Sequence, residues 1–128
     1  MLDANDSAKE NDKMMSPCPK TPNCVSSLDS DRRHFVEPFY FTGSTKDAME
    51  KVVNIISDFK RARVVSVNEN FIQAEFTSLF FRFVDDAEFF FDERKKIIHV
   101  KSASRIGYSD LGVNRRRIEN IRNRLDNR

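Results

Sequence analysis

Residues 80–91 read Phe80-Phe81-Arg82-Phe83-Val84-Asp85-Asp86-Ala87-Glu88-Phe89-Phe90-Phe91, and this run carries most of the information about the fold. Apolar side chains recur at every second position, which is typical of a β-strand with one buried face. The odd-numbered positions predict that face, since four phenylalanines and an alanine occupy them. Asp85 breaks this face midway, so we expect a carboxylate on the core side of the strand.

The segments on either side extend this strand into an antiparallel meander. Residues 97–105 follow a charged turn and direct Ile98 and Val100 to the core face, while residues 62–67 and 71–78 alternate in the same way before it. The register is loosely specified, but the apolar face fixes the parity. The outer face then carries four side chains that can meet across the strands: Asp86, Glu88, His99 and Lys101.

Two segments have the spacing of amphipathic helices. The first begins at Ser44 and repeats apolar residues along one side, namely Ala48, Val52, Ile55 and Phe59. The second begins near Asp110 or Leu111 and runs to about Leu125. Its apolar stripe consists of Leu111, Ile118, Ile121 and Leu125, and Asn114 interrupts it.

The order of these elements predicts the architecture. A short run at 35–41 has β-forming side chains, and Pro38 restricts it to an edge strand or an irregular extension. The chain order is then β-α-β-β-β-β-α. We predict an α+β fold, a two-layer domain in which two helices cover one face of an antiparallel four- to five-stranded meander sheet.

Length and composition fit one globular domain of 128 residues. Hydrophobic residues make up 39% and charged residues 33%, and the net charge of +2 is too small to imply a nucleic-acid partner. The polar composition of residues 1–16 predicts a disordered leader or tether ahead of a single domain over 17–128. No apolar run is long enough to span a bilayer, so no transmembrane segment is predicted.

Cys18 and Cys24 bracket a short proline-rich loop. The prolines can hold the ends of this loop close together, which allows a disulfide, and two free thiols in a reducing compartment are the alternative. The spacing matches no common zinc pattern, even with His34 or His99 added, so no metal site is expected. The chain has no glycine-rich phosphate loop, and we expect no cofactor.

A group of polar residues interrupts the apolar pattern at one end of the predicted core. Asp85 lies opposite Ser102 or Ser104 of the last strand, and Asn114 enters from the second helix. A buried carboxylate must be paired, hydrogen-bonded or protonated. Two interpretations remain open, a structural cluster that holds the turn at 105–110 and the polar end of a ligand pocket.

The adjacent carboxylates Asp85 and Asp86 raise the hypothesis of a hydrolase. Neighbouring strand residues point to opposite faces, so these two cannot act together on one substrate. On the outer face Asp86 has Glu88 beside it and Lys101 or His99 across the strand, which is the pattern of a solvated charge ladder. A two-carboxylate hydrolase is therefore disfavoured.

The second helix is rich in arginine at positions 115, 116, 117, 122 and 124. Such a cluster can neutralise the phosphates of a nucleic acid. Acidic residues are interspersed, however, and the stems of arginines beside a core stripe usually cover apolar surface. The alternative is that Arg105, Arg116 or Arg117 grips an anionic small molecule or a headgroup.

Three stretches of the chain together resemble the domain of unknown function 1499 family in their order and spacing. They are residues 83–89, residues 102–119 and residues 18–27, which read Cys18-Pro19-Lys20-Thr21-Pro22-Asn23-Cys24-Val25-Ser26-Ser27. The resemblance covers residues 17 to 125. It implies no reaction, cofactor or catalytic residue, because none is established for that family. Family members often follow a signal, lipoprotein or membrane segment, which together with the cysteine pair favours an envelope or lumen; a cytoplasmic location is the alternative.

These observations predict a non-enzymatic binding or interaction module for an anionic small molecule or a protein partner. The alternatives are a small hydrolase that uses Asp85 or Asp86 and a nucleic-acid-binding protein that uses the arginine helix. The candidate ligand-binding residues come from the outer face, the polar cluster and the segment from 105 to 117: Asp85, Asp86, Glu88, Lys101, Ser102, Ser104, Arg105, Tyr108, Asp110, Asn114, Arg116 and Arg117.

Overall fold

The computed structural model describes residues 15–107 and 109–127. The elements in chain order are β1 (Cys24–Ser26), β2 (Phe39–Tyr40), α1 (Thr45–Ser57), β3 (Ala62–Val67), β4 (Phe71–Thr77), β5 (Val84–Asp92), β6 (Ile97–Ser104) and α2 (Val113–Asp126). Within these residues the strands form one six-stranded sheet in the order β1-β6-β5-β4-β3, with β2 also paired to β6. All of these strand pairs are antiparallel.

Both described helices pack on the same face of this sheet. One cluster of buried apolar residues is drawn from the two helices and from alternate positions of the central strands. Its fully buried members include Val52 and Ile55 of α1, Ile118 of α2, Phe89 of β5 and Val100 of β6. The predicted α+β two-layer architecture is therefore confirmed, and removal of this apolar surface from water supplies its main stabilisation.

The register of β5 against β6 confirms the predicted parity. Asp85 pairs with Ser104 and Phe89 pairs with Val100, so alternate residues of both strands face the helices. Asp85 is only 8% exposed and lies on this core side, as the alternation predicts. Glu88 stands opposite Lys101 on the outer face.

The prediction that Phe81 and Phe83 belong to the core is wrong. The strand β5 begins only at Val84, and residues 78–83 form a loop, here called the aromatic loop. The Ser78 and Phe83 ends of this loop are closed by a backbone hydrogen bond from Ser78 N to Phe83 O of 2.9 Å. Arg82 adopts a left-handed conformation with φ of 57°. The alternation does not continue through such a turn, and Phe81 and Phe83 are 74% and 46% exposed.

The second helix begins later than predicted, and Leu111 is not part of its buried stripe. Leu111 and Gly112 both have positive φ values, 55° and 81°, so the helix starts at Val113. The Asp110 carboxylate accepts hydrogen bonds from the N–H groups of Gly112 and Asn114 at 2.8 and 3.0 Å. Leu111 projects from this turn and is 83% exposed.

The N-terminal part of the domain adds two short strands along β6. Only Phe39–Tyr40 of the predicted strand at 35–41 is regular, and β1 was not predicted. Cys18 and Cys24 form a disulfide, with their Cα atoms 5.7 Å apart. The disulfide therefore fixes the loop that leads into β1.

The predicted leader at 1–16 lies mostly outside the described residues, since residues 1–14 are not among them. Of the residues in this predicted leader, Met15 is described and is only 1% exposed. The neighbouring Ser16 lies against the outer face of the sheet, where its hydroxyl is 3.4 Å from Nζ of Lys101. In the part of the chain that the structure describes, no helix is long and apolar enough to cross a bilayer.

Candidate functional site

A groove of about 780 Å³ lies at the end of the sheet where β5 begins and β6 ends. Its walls are the aromatic loop, the turn between α1 and β3, the connection between β6 and α2, and the first turns of α2. The residues used below are drawn from this lining: Phe59, Lys60, Arg61, Phe76, Phe81, Phe83, Asp85, Ser104, Ile106, Asp110, Leu111, Val113, Arg116 and Arg117. The groove thus combines a polar floor with a largely apolar rim, which is typical of small-molecule sites.

The floor of the groove contains a mostly buried ion pair. Nη1 of Arg117 lies 2.9 Å from Oδ2 of Asp85, and the two side chains are 13% and 11% exposed. The guanidinium also lies over the ring of Phe76, 4.6 Å from its centroid. Burial lowers the pKa of Arg117 from its usual value, while the Asp85 carboxylate acts in the opposite direction. Asp85 therefore supplies the negative charge that a buried guanidinium requires.

Asn114 connects this ion pair to the rest of the polar cluster. Its Oδ1 accepts hydrogen bonds from the Ser102 hydroxyl at 2.6 Å and from Nη1 of Arg117 at 2.8 Å. Its Nδ2 donates to Oδ2 of Asp110 at 2.7 Å and to Oγ of Ser104 at 3.1 Å. Asn114 and Ser102 are both fully buried. The predicted convergence of these polar residues at the end of the core is therefore present.

Asn23 extends the cluster to the disulfide loop. Its backbone oxygen accepts from Ser104 N at 3.0 Å and from Nδ2 of Asn114 at 3.3 Å. Its side-chain amide donates to the backbone oxygen of Gly107 at 2.8 Å. Asn23 immediately precedes Cys24, so the loop closed by the disulfide also positions the wall of the groove. The alternation of apolar residues gives no signal for this role, because Asn23 lies outside the central strands.

Hydrogen bonds lower the pKa of the Asp110 carboxyl, although burial opposes this. Burial alone favours the protonated form, but donors from the Asn114 side chain and from the backbone of Asn114 and Gly112 outweigh it. Asp110 is therefore an ionised acceptor that fixes the start of α2. The same contact orients Asn114 toward the floor of the groove.

The rim of the groove is apolar and positively charged. Phe81 and Phe83 stack with their ring centroids 5.4 Å apart, and Ile106 and Leu111 face them as exposed apolar side chains. Three cations lie on the same rim: Lys60, Arg61 and Arg116. Arg117 neutralises Asp85, which leaves Asp110 as the remaining carboxylate of the lining against these three cations. The balance of accessible charge in the groove is therefore positive.

The outer-face residues that the sequence grouped with this site lie elsewhere. Asp86 binds the Arg105 guanidinium through two contacts of 2.9 Å, and the same guanidinium donates to Glu75 at 2.6 Å. Arg63 completes this network through Glu75. These charges satisfy one another on the opposite face of the sheet, so they do not form one site with the groove.

Glu88 on the outer face is partly buried. Burial raises the pKa of its carboxyl to about 7, a shift that Lys101 opposes and Asp86 assists. Among the described residues, its Oε1 has no hydrogen-bond partner. Lys101 lies directly across the strand from Glu88, as predicted. Its positive charge does not fully offset the effect of lost hydration on the Glu88 carboxyl.

Most arginines of α2 are engaged in holding the helix to neighbouring segments. Arg115 donates to the backbone oxygens of residues 33 and 35, and Arg122 donates to those of residues 37 and 38. Arg122 and Arg124 also lie over the rings of Phe39 and Phe59, with guanidinium carbons 5.0 and 4.2 Å from the ring centroids. Only Arg116 and Arg117 of this helix's arginines line the groove.

The structure therefore divides the predicted site residues into three groups. Asp85, Ser104, Asp110, Arg116 and Arg117 line the groove, with Ser102 and Asn114 buried beneath it. Asp86, Glu88, Lys101 and Arg105 belong to the outer face or its edge, and Tyr108 lies outside the described residues.

Sequence reasoning missed most of the rim. The apolar pattern predicts Phe81, Phe83 and Leu111 to be core residues, because it does not distinguish an exposed apolar side chain from a buried one. Lys60 and Arg61 follow the end of α1 without a motif. The positive φ of Arg82 and Leu111 is what turns these apolar neighbours outward, and no alternation pattern reports it.

In the residues described, no group of three or more histidines, cysteines, aspartates or glutamates is close enough to hold a metal ion.

The model of a family described as protein of unknown function (DUF1499) matches residues 14–125. No curated protein and no solved structure shows significant similarity to the chain.

Proposed function

The chain belongs to the DUF1499 family of proteins of unknown function, and we propose that it is a binding protein for an amphipathic anion, a molecule with an apolar body and one phosphate, sulfate or carboxylate group. The observation that carries this proposal is the groove, in which a stacked aromatic wall and three accessible cations border the same space.

The apolar rim supports a ligand with a hydrophobic body. Four large apolar side chains are exposed toward one cavity: Phe81, Phe83, Ile106 and Leu111. Contact of these side chains with water is unfavourable, and a bound apolar group would remove that contact. A volume of about 780 Å³ fits within the range for small-molecule pockets. The apolar part of the ligand would pack between the aromatic loop and the β6–α2 connection.

The cations support an anionic group on that ligand. Arg116 folds over the start of α2, where its Nη1 donates to Leu111 O at 2.9 Å and leaves the rest of the guanidinium toward the groove. Lys60 and Arg61 stand on the opposite wall. Charge-assisted hydrogen bonds to such groups are strong, so an anion between the walls is favoured over a neutral polar group.

The arrangement of carboxylates argues against the hydrolase. Asp85 is held by Arg117 and Asp86 points to the other face toward Arg105, so the two cannot flank one substrate. The engagement of Arg115, Arg122 and Arg124 within the fold likewise reduces the case for a nucleic-acid surface on α2.

Calorimetric titration with three matched probes tests the proposal. We expect dodecyl phosphate to bind, and dodecanol and inorganic phosphate each to bind at least about tenfold more weakly, since each offers only half of the recognised chemistry. Arg116→Gln should weaken dodecyl phosphate about tenfold and leave dodecanol unchanged.

Arg94→Gln is the matched control, because this exposed arginine follows β5 at the end opposite to the groove. It should bind dodecyl phosphate as the wild type does. Equal affinity for dodecyl phosphate and dodecanol, or equal losses for Arg94→Gln and Arg116→Gln, would contradict the proposal.

A further inference from the structure

The exposed apolar side chains of this protein are concentrated at the mouth of the groove. Of the eleven large apolar side chains that are exposed in the described residues, seven lie at this end of the domain: Leu79, Phe80, Phe81, Phe83, Ile106, Leu111 and Val113. Contiguous patches of this kind mark interaction surfaces, because isolated domains rarely keep them in water.

The tip of this surface does not serve the groove itself. Phe80 is 85% exposed and Leu79 is 55% exposed, and neither lines the cavity. The aromatic loop that carries them is held in shape, since Phe83 N donates to Oγ of Ser78 at 3.0 Å in addition to the backbone bond that closes the loop. A closed loop that presents apolar side chains outward is suited to insertion into an apolar environment outside the protein.

The charges around the tip indicate which apolar environment the loop would enter. Arg82 is exposed within the loop, and Lys60, Arg61 and Arg116 surround the mouth below it. Each Lys or Arg near an anionic bilayer increases the affinity of a protein for that bilayer about fivefold. Apolar rings next to several cations match the chemistry of the acyl boundary beneath anionic headgroups.

We propose that the aromatic loop docks this end of the domain on an anionic lipid bilayer, with Leu79 and Phe80 entering the headgroup–acyl boundary and Arg82, Lys60 and Arg61 contacting the headgroups. Docking places the mouth of the groove at the membrane surface. It goes beyond the proposed function, because a groove can bind a dissolved ligand without a membrane.

Co-sedimentation with vesicles tests the docking. We expect binding to equimolar phosphatidylcholine–phosphatidylglycerol vesicles and much weaker binding to phosphatidylcholine vesicles. Arg82→Gln should reduce binding to the anionic vesicles about fivefold. Phe80→Ser should reduce it about tenfold or more, because a large apolar side chain is lost from the boundary.

Two controls match these variants at the other end of the molecule. Lys46→Gln changes an exposed cation in the first turn of α1, and Tyr40→Ser changes an exposed ring, 65% exposed, that pairs with Ile97 where β6 begins. Both should bind vesicles as the wild type does. Equal binding to both kinds of vesicle, no binding to either, or equal losses in the controls would overturn the docking.

The same variants separate this inference from the groove and from self-association. Phe80→Ser should keep the wild-type affinity for dodecyl phosphate in the absence of vesicles, because Phe80 does not line the groove. Sedimentation velocity should show a monomer for the wild type and for Phe80→Ser. A dimer that Phe80→Ser dissociates would show that a second copy covers this surface, and the bilayer proposal would then be wrong.

Discussion

Arg117 of α2 places its Nη1 2.9 Å from Oδ2 of Asp85 on β5, and this contact joins the second helix to a central strand at the floor of the groove. The pair sits at the boundary between the apolar core and the open groove, with Asn114 on one side and the Phe76 ring beneath the guanidinium. A charge pair in this position stabilises the fold only while both partners remain.

Removal of one partner from this pair should therefore destabilise the protein strongly. We expect Asp85→Leu and Arg117→Met each to lower the free energy of unfolding by about 3 kcal/mol, because each leaves the opposite charge poorly solvated. The double variant should recover part of that loss. Urea unfolding of the four proteins measures the coupling between the two positions.

Arg63→Gln is the control for this experiment, because Arg63 forms an ion pair with Glu75 but is 69% exposed. It should change the free energy of unfolding by less than about 1 kcal/mol. Strictly additive effects of Asp85→Leu and Arg117→Met would show that the observed contact does not couple the helix to the strand.

Asn114 should be the most sensitive uncharged position of the site. We expect Asn114→Ala to lower the free energy of unfolding by about 2–4 kcal/mol, because it removes the side-chain hydrogen bonds that join β6, the disulfide loop and Asp110 at a buried position. Asn123→Ala, an exposed asparagine on the same helix, should cost less than about 1 kcal/mol. Thermal unfolding of both variants measures the difference, and comparable costs would contradict a central role for Asn114.

The alternation of residues was sufficient to predict the core face, because burial imposes a strict period of two on β5. It predicts Asp85 inside and Asp86 outside, and it leaves Ser102 and Ser104 as alternatives opposite Asp85, of which the structure has Ser104. The prediction did not identify Arg117 as the partner of Asp85, because the reach of a long side chain across two elements depends on how α2 is rotated.

The groove could not be predicted, since its rim depends on backbone conformations that the apolar pattern does not specify. Arg82 and Leu111 adopt positive φ values, and the side chains next to them leave the core at those points. A phenylalanine in an exposed loop and one in a strand contribute equally to a hydrophobic pattern. The strand β1 was missed for a related reason, because a segment of only three residues shows too little periodicity.

The outer face should make stability depend on pH through Glu88. The folded state holds the pKa of this carboxyl at about 7, against a reference value of 4.5, because burial opposes its ionisation. The stabilisation linked to the protonated form is fully present below the unfolded pKa and is lost as pH rises through about 7. We expect the melting temperature of the wild type to fall between about pH 5 and pH 8.

Glu88→Gln should flatten this dependence, since glutamine keeps the shape and cannot ionise. Differential scanning fluorimetry at both ends of the range should find the variant more stable than the wild type at the higher pH. Glu50→Gln, which changes an exposed carboxylate on α1, should retain the wild-type slope. An unchanged slope in Glu88→Gln would refute the assignment to Glu88.

The Cys18–Cys24 disulfide should stabilise the wall of the groove as well as the whole fold. Intact mass under non-reducing conditions should show a chain that has lost both thiol hydrogens. Reduction should lower the free energy of unfolding by about 2 kcal/mol, the value expected from the chain entropy of so short a loop. Asn23, next to Cys24, should then hold Gly107 and Ser104 less firmly, because its backbone is no longer anchored.

Hydrogen exchange on the oxidised and reduced proteins tests the local part of this prediction. The amide of Ser104, which donates to Asn23 O, should exchange faster after reduction. The amide of Ala74, in the central strand β4, should change only by the global loss of stability and serves as the control. Free thiols in protein purified under air, or an equal change at both amides, would contradict the proposed link between the disulfide and the groove.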